Sequence, residues 1–239
     1  MSNSPLVSYT KISPNKSTPR NHAIDTITIH CVVGQCSVET IGAIFNNKTN
    51  KCSSNYGIGV DGRIGMYVEE KDRSWCSSNS ENDNRAITIE CASDTTHPYA
   101  INDKVYHSLI KLCIDICKRN GIKELKWKAD KSLIGDIDEQ NITVHRWFAN
   151  KDCPGDYIYS RLGQIAREVN IALCPEILDV PFFVRVDIDN LNYRSKPSYN
   201  GVIKGQTGKG IFTIVEVSGG WGRLKSGAGW ICLDYAKKL

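Results

Sequence analysis

Three short segments of the chain alternate apolar and polar residues in the same way. They are residues 26–30 (TITIH), 86–90 (AITIE) and 141–145 (NITVH). Side chains of a β-strand point alternately to its two faces, so the aliphatic residues of each segment share one face and the threonines share the other. The pattern predicts three strands of one sheet, with His30, Glu90 and His145 at the strand ends on the threonine face.

Helical periodicity appears between and after these strands. Residues 37–48 carry apolar side chains at helical spacing behind Ser37, a residue type that caps helix N-termini. Residues 101–122 repeat the pattern and end at Gly121, which suits a helix C-terminus. Residues 156–173 predict a last amphipathic helix.

Residues 55–69 alternate again around Asp61-Gly62, the signature of a β-hairpin turn. Strands interleaved with helices indicate an α/β fold, with a mixed central sheet flanked by helices. This expectation covers residues 1–173.

The pattern changes at residues 174–182, where Pro175 and Pro181 interrupt any helix and predict a short linker. Residues 183–239 then contain only short strand-like runs separated by Gly, Ser and Asn. They predict a second, small all-β domain.

Composition and charge narrow the class of protein. The 239 residues are 41% hydrophobic and 23% charged, which is ordinary for a globular chain, and no apolar run approaches the roughly 20 residues that span a bilayer. The polar N-terminus lacks a signal-peptide pattern, so we expect synthesis in the cytoplasm without membrane insertion. Residues 183–239 carry nine basic and four acidic side chains, against 21 and 22 in the rest, which suggests that the tail meets an anionic partner.

Ten cysteines would indicate disulfides in a short secreted protein, but this chain is neither short nor preceded by a signal sequence. We therefore expect mostly reduced thiols. A disulfide among Cys36, Cys52 and Cys76 stays open at this point.

Cys153 follows His145 by eight residues and returns the chain towards the same strand end, with Lys151 beside it. Two imidazoles and a thiolate suit Zn²⁺, and three protein ligands leave a fourth position for water, as in catalytic zinc sites. Both histidines must be neutral and Cys153 deprotonated, so metal binding should weaken at acid pH.

These residues carry a family resemblance. His30, the NRAITIE segment ending in Glu90, and HRWFANKDCP with His145, Lys151 and Cys153 resemble the zinc-dependent N-acetylmuramoyl-L-alanine amidases of phage endolysins, relatives of the peptidoglycan-recognition proteins. The resemblance covers roughly residues 20–172. The tail is similar to a bacterial SH3 domain through LNYRSKPS (residues 191–198) and GWICLDY (residues 229–235).

The resemblance implies a bacteriolytic, antimicrobial enzyme that is released to act on the wall. His30, His145 and Cys153 would bind Zn²⁺, Glu90 would be the general base, and Lys151 would stabilise negative charge on the substrate. Its partners would be peptidoglycan and, for the SH3-like tail, a ligand in a Gram-positive wall.

Two alternatives remain open from sequence. The chain could be a non-catalytic peptidoglycan-binding protein of the same fold, or a host autolysin rather than a phage lysin. A nucleic-acid-binding role is disfavoured, because the charge is modest and no recognition helix is evident.

Tyr56 matches a tyrosine that lines the site in some amidases, although packing on the core is equally compatible with its place at a strand start.

Overall fold

The computed structural model describes residues 2–174 and 179–239. Two compact units divide the chain, Met1–Leu173 and Cys174–Leu239. Within the predicted linker, residues 175–178 lie outside the described residues, and Phe182 already begins a strand.

A mixed six-stranded sheet is the centre of the first unit. Its order is β1-β5-β4-β7-β3-β8, and all neighbours are parallel except the β4–β5 hairpin. A separate two-stranded sheet pairs β2 with β6. The strands are β1 (Tyr9–Thr10), β2 (Lys16–Ser17), β3 (Thr26–Cys31), β4 (Tyr56–Ile58), β5 (Ile64–Met66), β6 (Arg73–Ser74), β7 (Ala86–Cys91) and β8 (Ile142–Thr143).

Five helices flank this sheet, so the predicted α/β class with a mixed central sheet is confirmed. They are α1 (Val38–Asn46), α2 (Ser80–Arg85), α3 (Asp103–Asn120), α4 (Gly155–Tyr159) and α5 (Leu162–Leu173). Ser37 caps α1 by accepting a hydrogen bond from the Thr40 N–H at 3.2 Å. Gly121 ends α3 in the left-handed conformation, with φ of +72°, as its position predicted.

Three local predictions need correction. The helix predicted over residues 156–173 is two helices, because the Arg161 N–H bonds to the Ile158 carbonyl at 2.9 Å in a tighter turn that ends α4. His145 does not end a strand but begins a short 3₁₀ turn, His145–Trp147. Helix α2 was missed because its sequence, SENDNR, has no apolar stripe from which helical periodicity could be read.

The isoleucines of the alternating segments form the core. Ile27 and Ile29 in β3 and Ile87 and Ile89 in β7 are completely buried beneath α3 and α5 with the other members of one cluster. Burial of an aliphatic side chain of this size contributes about 1.5 to 3 kcal/mol, so this face anchors the sheet. The opposite face is free to carry polar groups.

A closed ring of three buried hydrogen bonds lies on that opposite face. Asn82 in α2 donates from Nδ2 to Thr28 Oγ1 at 3.0 Å, and Thr143 Oγ1 donates to Asn82 Oδ1 at 2.8 Å. The two threonine hydroxyls lie 2.7 Å apart, which closes the ring. Every polar group in the ring has a partner, so α2, β3 and β8 are joined without leaving one of these buried groups unsatisfied.

The second unit is a seven-stranded antiparallel sheet of order β11-β10-β14-β13-β12-β9-β15, which confirms a small all-β domain. A small apolar cluster that includes Val184, Ile214 and Ile231 forms its core. The strands are β9 (Phe182–Val186), β10 (Asn192–Arg194), β11 (Ile203–Gln206), β12 (Gly210–Ser218), β13 (Trp221–Leu224), β14 (Trp230–Cys232) and β15 (Ala236–Lys238).

Two further observations concern the whole described chain. No disulfide links any of the ten cysteines, all of which lie in residues 2–174 and 179–239. Among the helices described in those ranges, none has both the length and the apolar character required to cross a membrane.

The hydrogen-bonded ring makes a testable prediction about stability. We expect Asn82→Ala to lower the free energy of unfolding by about 2 to 3 kcal/mol, because two buried threonine hydroxyls lose a partner. Glu81→Ala, on the exposed side of the same helix, is the control and should change it by less than about 0.5 kcal/mol. Equal effects of the two substitutions in urea unfolding would contradict a structural role for the ring.

Candidate metal centre and active site

The register of β3 and β7 puts His30 and Glu90 side by side. The two strands are parallel, and their pairing runs from Thr26 with Ala86 to His30 with Glu90. Residues at the same level of neighbouring strands lie on the same face, so both side chains leave the sheet on the side opposite the isoleucine core. Local alternation and parallel pairing together therefore create one polar site.

His145 and Cys153 reach this site from the other side of β3. Strand β8 pairs Thr143 with Thr28, so the chain leaves β8 beside His30. The loop then folds back, and the Arg146 N–H donates to the Cys153 carbonyl at 3.1 Å. The Cys31 N–H donates to the Cys153 sulfur at 3.4 Å, which fixes the thiol against β3.

The three side chains form a compact donor set. One ligand atom from each of His30, His145 and Cys153 lies within 4.8 Å of the others. Cys153 Sγ is 3.3 Å from His30 Nδ1, and the two imidazole centroids are 5.2 Å apart. Tetrahedral Zn²⁺ with bonds of about 2.0 Å to nitrogen and 2.3 Å to sulfur separates those atoms by about 3.5 Å, so the arrangement fits such an ion.

Burial sets the protonation of the donors. Desolvation, reinforced by His145, lowers the pKa of His30 to about 3. Burial also lowers the pKa of His145, with a further contribution from the positive charge of Lys151. The contact with the Cys31 side chain, followed by burial, raises the pKa of Cys153 well above its usual range, and the bond from the Cys31 N–H opposes this shift. At neutral pH both imidazoles are thus ready to bind a cation, whereas the thiol must first lose a proton.

Glu90 has the environment of a general base. Its Oε2 is shielded from solvent and has no hydrogen-bond partner among the described residues, while Oε1 faces the Cys76 sulfur at 3.8 Å. Desolvation raises the pKa of Glu90 to about 7, and the contact with Cys76 opposes this shift. A carboxyl that titrates near neutral pH can both accept and return a proton during a reaction.

Lys151 is exposed and lines an open cleft of about 660 Å³ together with His145. Trp75, Cys76 and Ser78 line the same cleft. The ammonium group carries a positive charge next to the donor set, as its effect on His145 indicates. The cleft therefore contains one member of the donor set, His145, and a cation, and it reaches Glu90 through Cys76.

Comparison with known proteins identifies the family of the chain. The family model described as N-acetylmuramoyl-L-alanine amidase matches residues 20–156, more than half of the chain, and the match includes all five of these side chains. The chain belongs to this amidase family. No curated protein matches it at a significant level.

Similar solved structures have low sequence identity to this chain, and one of them, PlyL, shares the fold of the first unit. PlyL is 16% identical over 67% of this chain and 95% of its own, with a TM-score of 0.50. A derivative of AmpD is 19% identical over 66% of this chain and 93% of its own, with a TM-score of 0.49. The endolysin LysCS from Clostridium intestinale is 17% identical over 66% and 92%, with a TM-score of 0.47.

Tyr56 does not line the cleft of this amidase. Strand β4 pairs Tyr56 with Ile89, which places the ring on the core face, where it is completely buried. Its hydroxyl donates to Glu70 Oε1 at 2.6 Å and accepts from the Ser4 N–H at 2.9 Å. The interpretation of Tyr56 as a substrate-lining residue is therefore replaced by a structural one.

Two residues of the cleft were not predicted from sequence. Cys76 lies against Glu90, and Ser78 Oγ is 3.1 Å from His145 Nε2. The buried carboxylate of Asp83 holds this segment by accepting from the Cys76 N–H at 2.9 Å and the Ser77 N–H at 3.1 Å. The only sequence signal is the Asn79 cap of α2 just after the segment, and that cap reveals a turn but not a site.

Because Tyr56 lies in the core, we expect it to contribute to the stability of the protein and not to its activity, and one substitution tests this. We expect Tyr56→Phe to lower the free energy of unfolding by about 1 to 3 kcal/mol, because a hydrogen bond to a buried carboxylate is lost. Amidase turnover should stay within about twofold, since the hydroxyl is remote from the reacting groups. A large fall in kcat at unchanged stability would return Tyr56 to the active site.

Proposed function

We propose that the protein is a zinc-dependent peptidoglycan hydrolase that cleaves the amide between the lactyl group of N-acetylmuramic acid and L-alanine. The observation that supports this most directly is the His30, His145 and Cys153 donor set beside Glu90. This donor set suits zinc. The family match supports the choice of substrate.

Glu90 is the proton carrier of the proposed reaction. When bound, zinc supplies a Lewis acid that acidifies water and polarises a carbonyl. Glu90 removes the proton from the attacking water and later delivers it to the departing amine of L-alanine. Its carboxyl, of which Oε2 is shielded from solvent, has a pKa of about 7 and is suited to both transfers.

Lys151 is the proposed stabiliser of negative charge. Attack on the amide places charge on the carbonyl oxygen, and a fixed cation at the cleft lowers the energy of that state. Lys151 is an exposed cation of the same cleft, adjacent to the donor set. The role requires only that the ammonium group reach the carbonyl oxygen of bound substrate.

The C-terminal unit is the proposed wall-binding module, of the bacterial SH3 type. Residues 183–239 of this unit carry a net charge of +5, which complements anionic wall polymers. A groove lined by Arg194, Tyr199, Trp221 and Tyr235 offers aromatic surface, and the Tyr199 and Trp221 rings are 5.0 Å apart. With such a module, an enzyme made in the cytoplasm and later released would stay on a Gram-positive wall.

A non-catalytic peptidoglycan-binding protein is the main competing function. A pure binding protein does not require a buried carboxyl next to a complete metal-binding set, so the presence of Glu90 and Cys153 favours the enzyme. A host autolysin has the same chemistry as a phage lysin and differs only in biological origin.

The products of digestion test the proposed reaction. Purified protein with one equivalent of zinc should release free α-amino groups from cell walls without new reducing ends, and a chelator should stop the release. Glu90→Gln should bind zinc but lose about 100-fold or more in rate, because proton transfer is removed. New reducing ends without amines, measured by mass spectrometry of the fragments, would indicate a glycosidase instead.

Zinc affinity should depend on pH because binding releases one proton, that of the Cys153 thiol. The imidazoles are neutral at neutral pH, with the pKa of His30 at about 3, while the Cys153 thiol is protonated. Affinity should therefore fall about tenfold for each pH unit lost between roughly pH 8 and 5. Calorimetry across this range measures the slope, and Cys153→Ala should flatten it. A steeper dependence near pH 6 would mean that the histidines also compete for protons.

A further inference from the structure

A second set of metal donors adjoins the first. One ligand atom from each of His30, Cys76 and Glu90 lies within 4.8 Å of the others, which is the same spacing limit that the first set meets. His30 belongs to both sets. Imidazole, thiolate and carboxylate are all ordinary ligands of Zn²⁺, so the second set has the chemistry of a zinc site as well.

Cys76 is held in place independently of any metal. Its backbone N–H and that of Ser77 both donate to the buried carboxylate of Asp83. The Cys76 side chain is buried, and its sulfur lies 3.8 Å from Glu90 Oε1. Because the thiol is already fixed beside a carboxylate, little further conformational entropy is lost when a cation binds.

Two atoms of this second set lack the hydrogen bonds that buried polar groups normally make. Within residues 2–174 and 179–239, neither His30 Nε2 nor Glu90 Oε2 has a partner, and both atoms are shielded from solvent. A zinc-binding histidine usually donates its second ring N–H to a protein acceptor. In this protein His30 Nδ1 lies beside Cys153, and Nε2 has no hydrogen-bond partner among the described residues.

We propose that a second equivalent of Zn²⁺ binds Cys76 and Glu90 beside His30 and inhibits the enzyme. On binding, the Cys76 thiol and the ring nitrogen of His30 that the first set leaves free each release a proton to solvent, and the metal bonds to that nitrogen, to the Cys76 sulfur and to a Glu90 carboxylate oxygen. Glu90 can then no longer accept a proton from water. The inference rests on the proposed role of Glu90, and it adds a regulatory metal position to the catalytic one.

Cys52 provides a matched control. It lines the same cleft as Cys76 but belongs to neither donor set. Replacement of Cys52 by serine removes a thiol of similar position without touching Glu90. Any effect confined to Cys76 is therefore a property of the second set and not of cleft thiols in general.

The first measurement counts metal ions without reference to activity. The full-length, metal-free chain is titrated with Zn²⁺ under native mass spectrometry and with Cd²⁺ while thiolate charge-transfer absorption is recorded. We expect a second bound equivalent in the wild type and in Cys52→Ser. Cys76→Ser and Cys76→Ala should each lose that equivalent and keep the first. One equivalent in the wild type, or two in both Cys76 variants, would overturn the proposal.

The second measurement tests inhibition. Relative to its own rate with one equivalent of zinc, the wild type should slow by up to about 100-fold in excess zinc, because the contribution of the base is lost. Cys52→Ser should behave in the same way, and the Cys76 variants should resist. Inhibition that is equal in all variants would refute the regulatory role. Absence of amidase activity at one equivalent would instead refute the proposed function, while the metal count still reports on the second position.

Discussion

The in-register parallel pairing of β3 with β7 is the constraint on which the site depends. It sets His30 opposite Glu90, and it also sets Ile29 opposite Ile89 on the other face. A slip of one residue would exchange the faces and place the polar pair in the core, so burial of the isoleucines enforces the geometry of the site. The ring of Asn82, Thr28 and Thr143 then attaches β8, and with it His145, to the same face.

Burial of polar groups on this face lowers the stability of the protein, and packing elsewhere in the fold offsets that loss. The surroundings of His30 and Glu90 exclude water and disfavour the charged form of each side chain. The imidazole therefore stays neutral, and the pKa of the carboxyl rises to about 7. The unsatisfied atoms that result would be destabilising in a core without a function. The same environment favours cation binding at both donor sets. A neutral imidazole nitrogen or a buried carboxylate oxygen that has lost its contact with solvent gains an interaction when a cation binds it.

The two units of the chain solve different physical problems. The first builds a large aliphatic core beneath one sheet and leaves the other face for chemistry. The second has a small core and a basic, aromatic surface, which suits recognition better than catalysis. PlyL shares the fold of the first unit at only 16% identity, as expected if a core requires apolar character and volume more than particular residues.

The sequence by itself determined the fold class, most helices, the hairpin and five of the residues proposed for the site, because alternation, caps and turn residues are local properties. Only the tertiary structure decided the face of Tyr56, which follows from its pairing with Ile89, and the break between α4 and α5. The approach of Cys76 to Glu90 likewise depends on a loop anchored by Asp83. Strand register and loop anchoring arise from contacts between distant segments, and no local pattern of hydrophobic and polar residues encodes them.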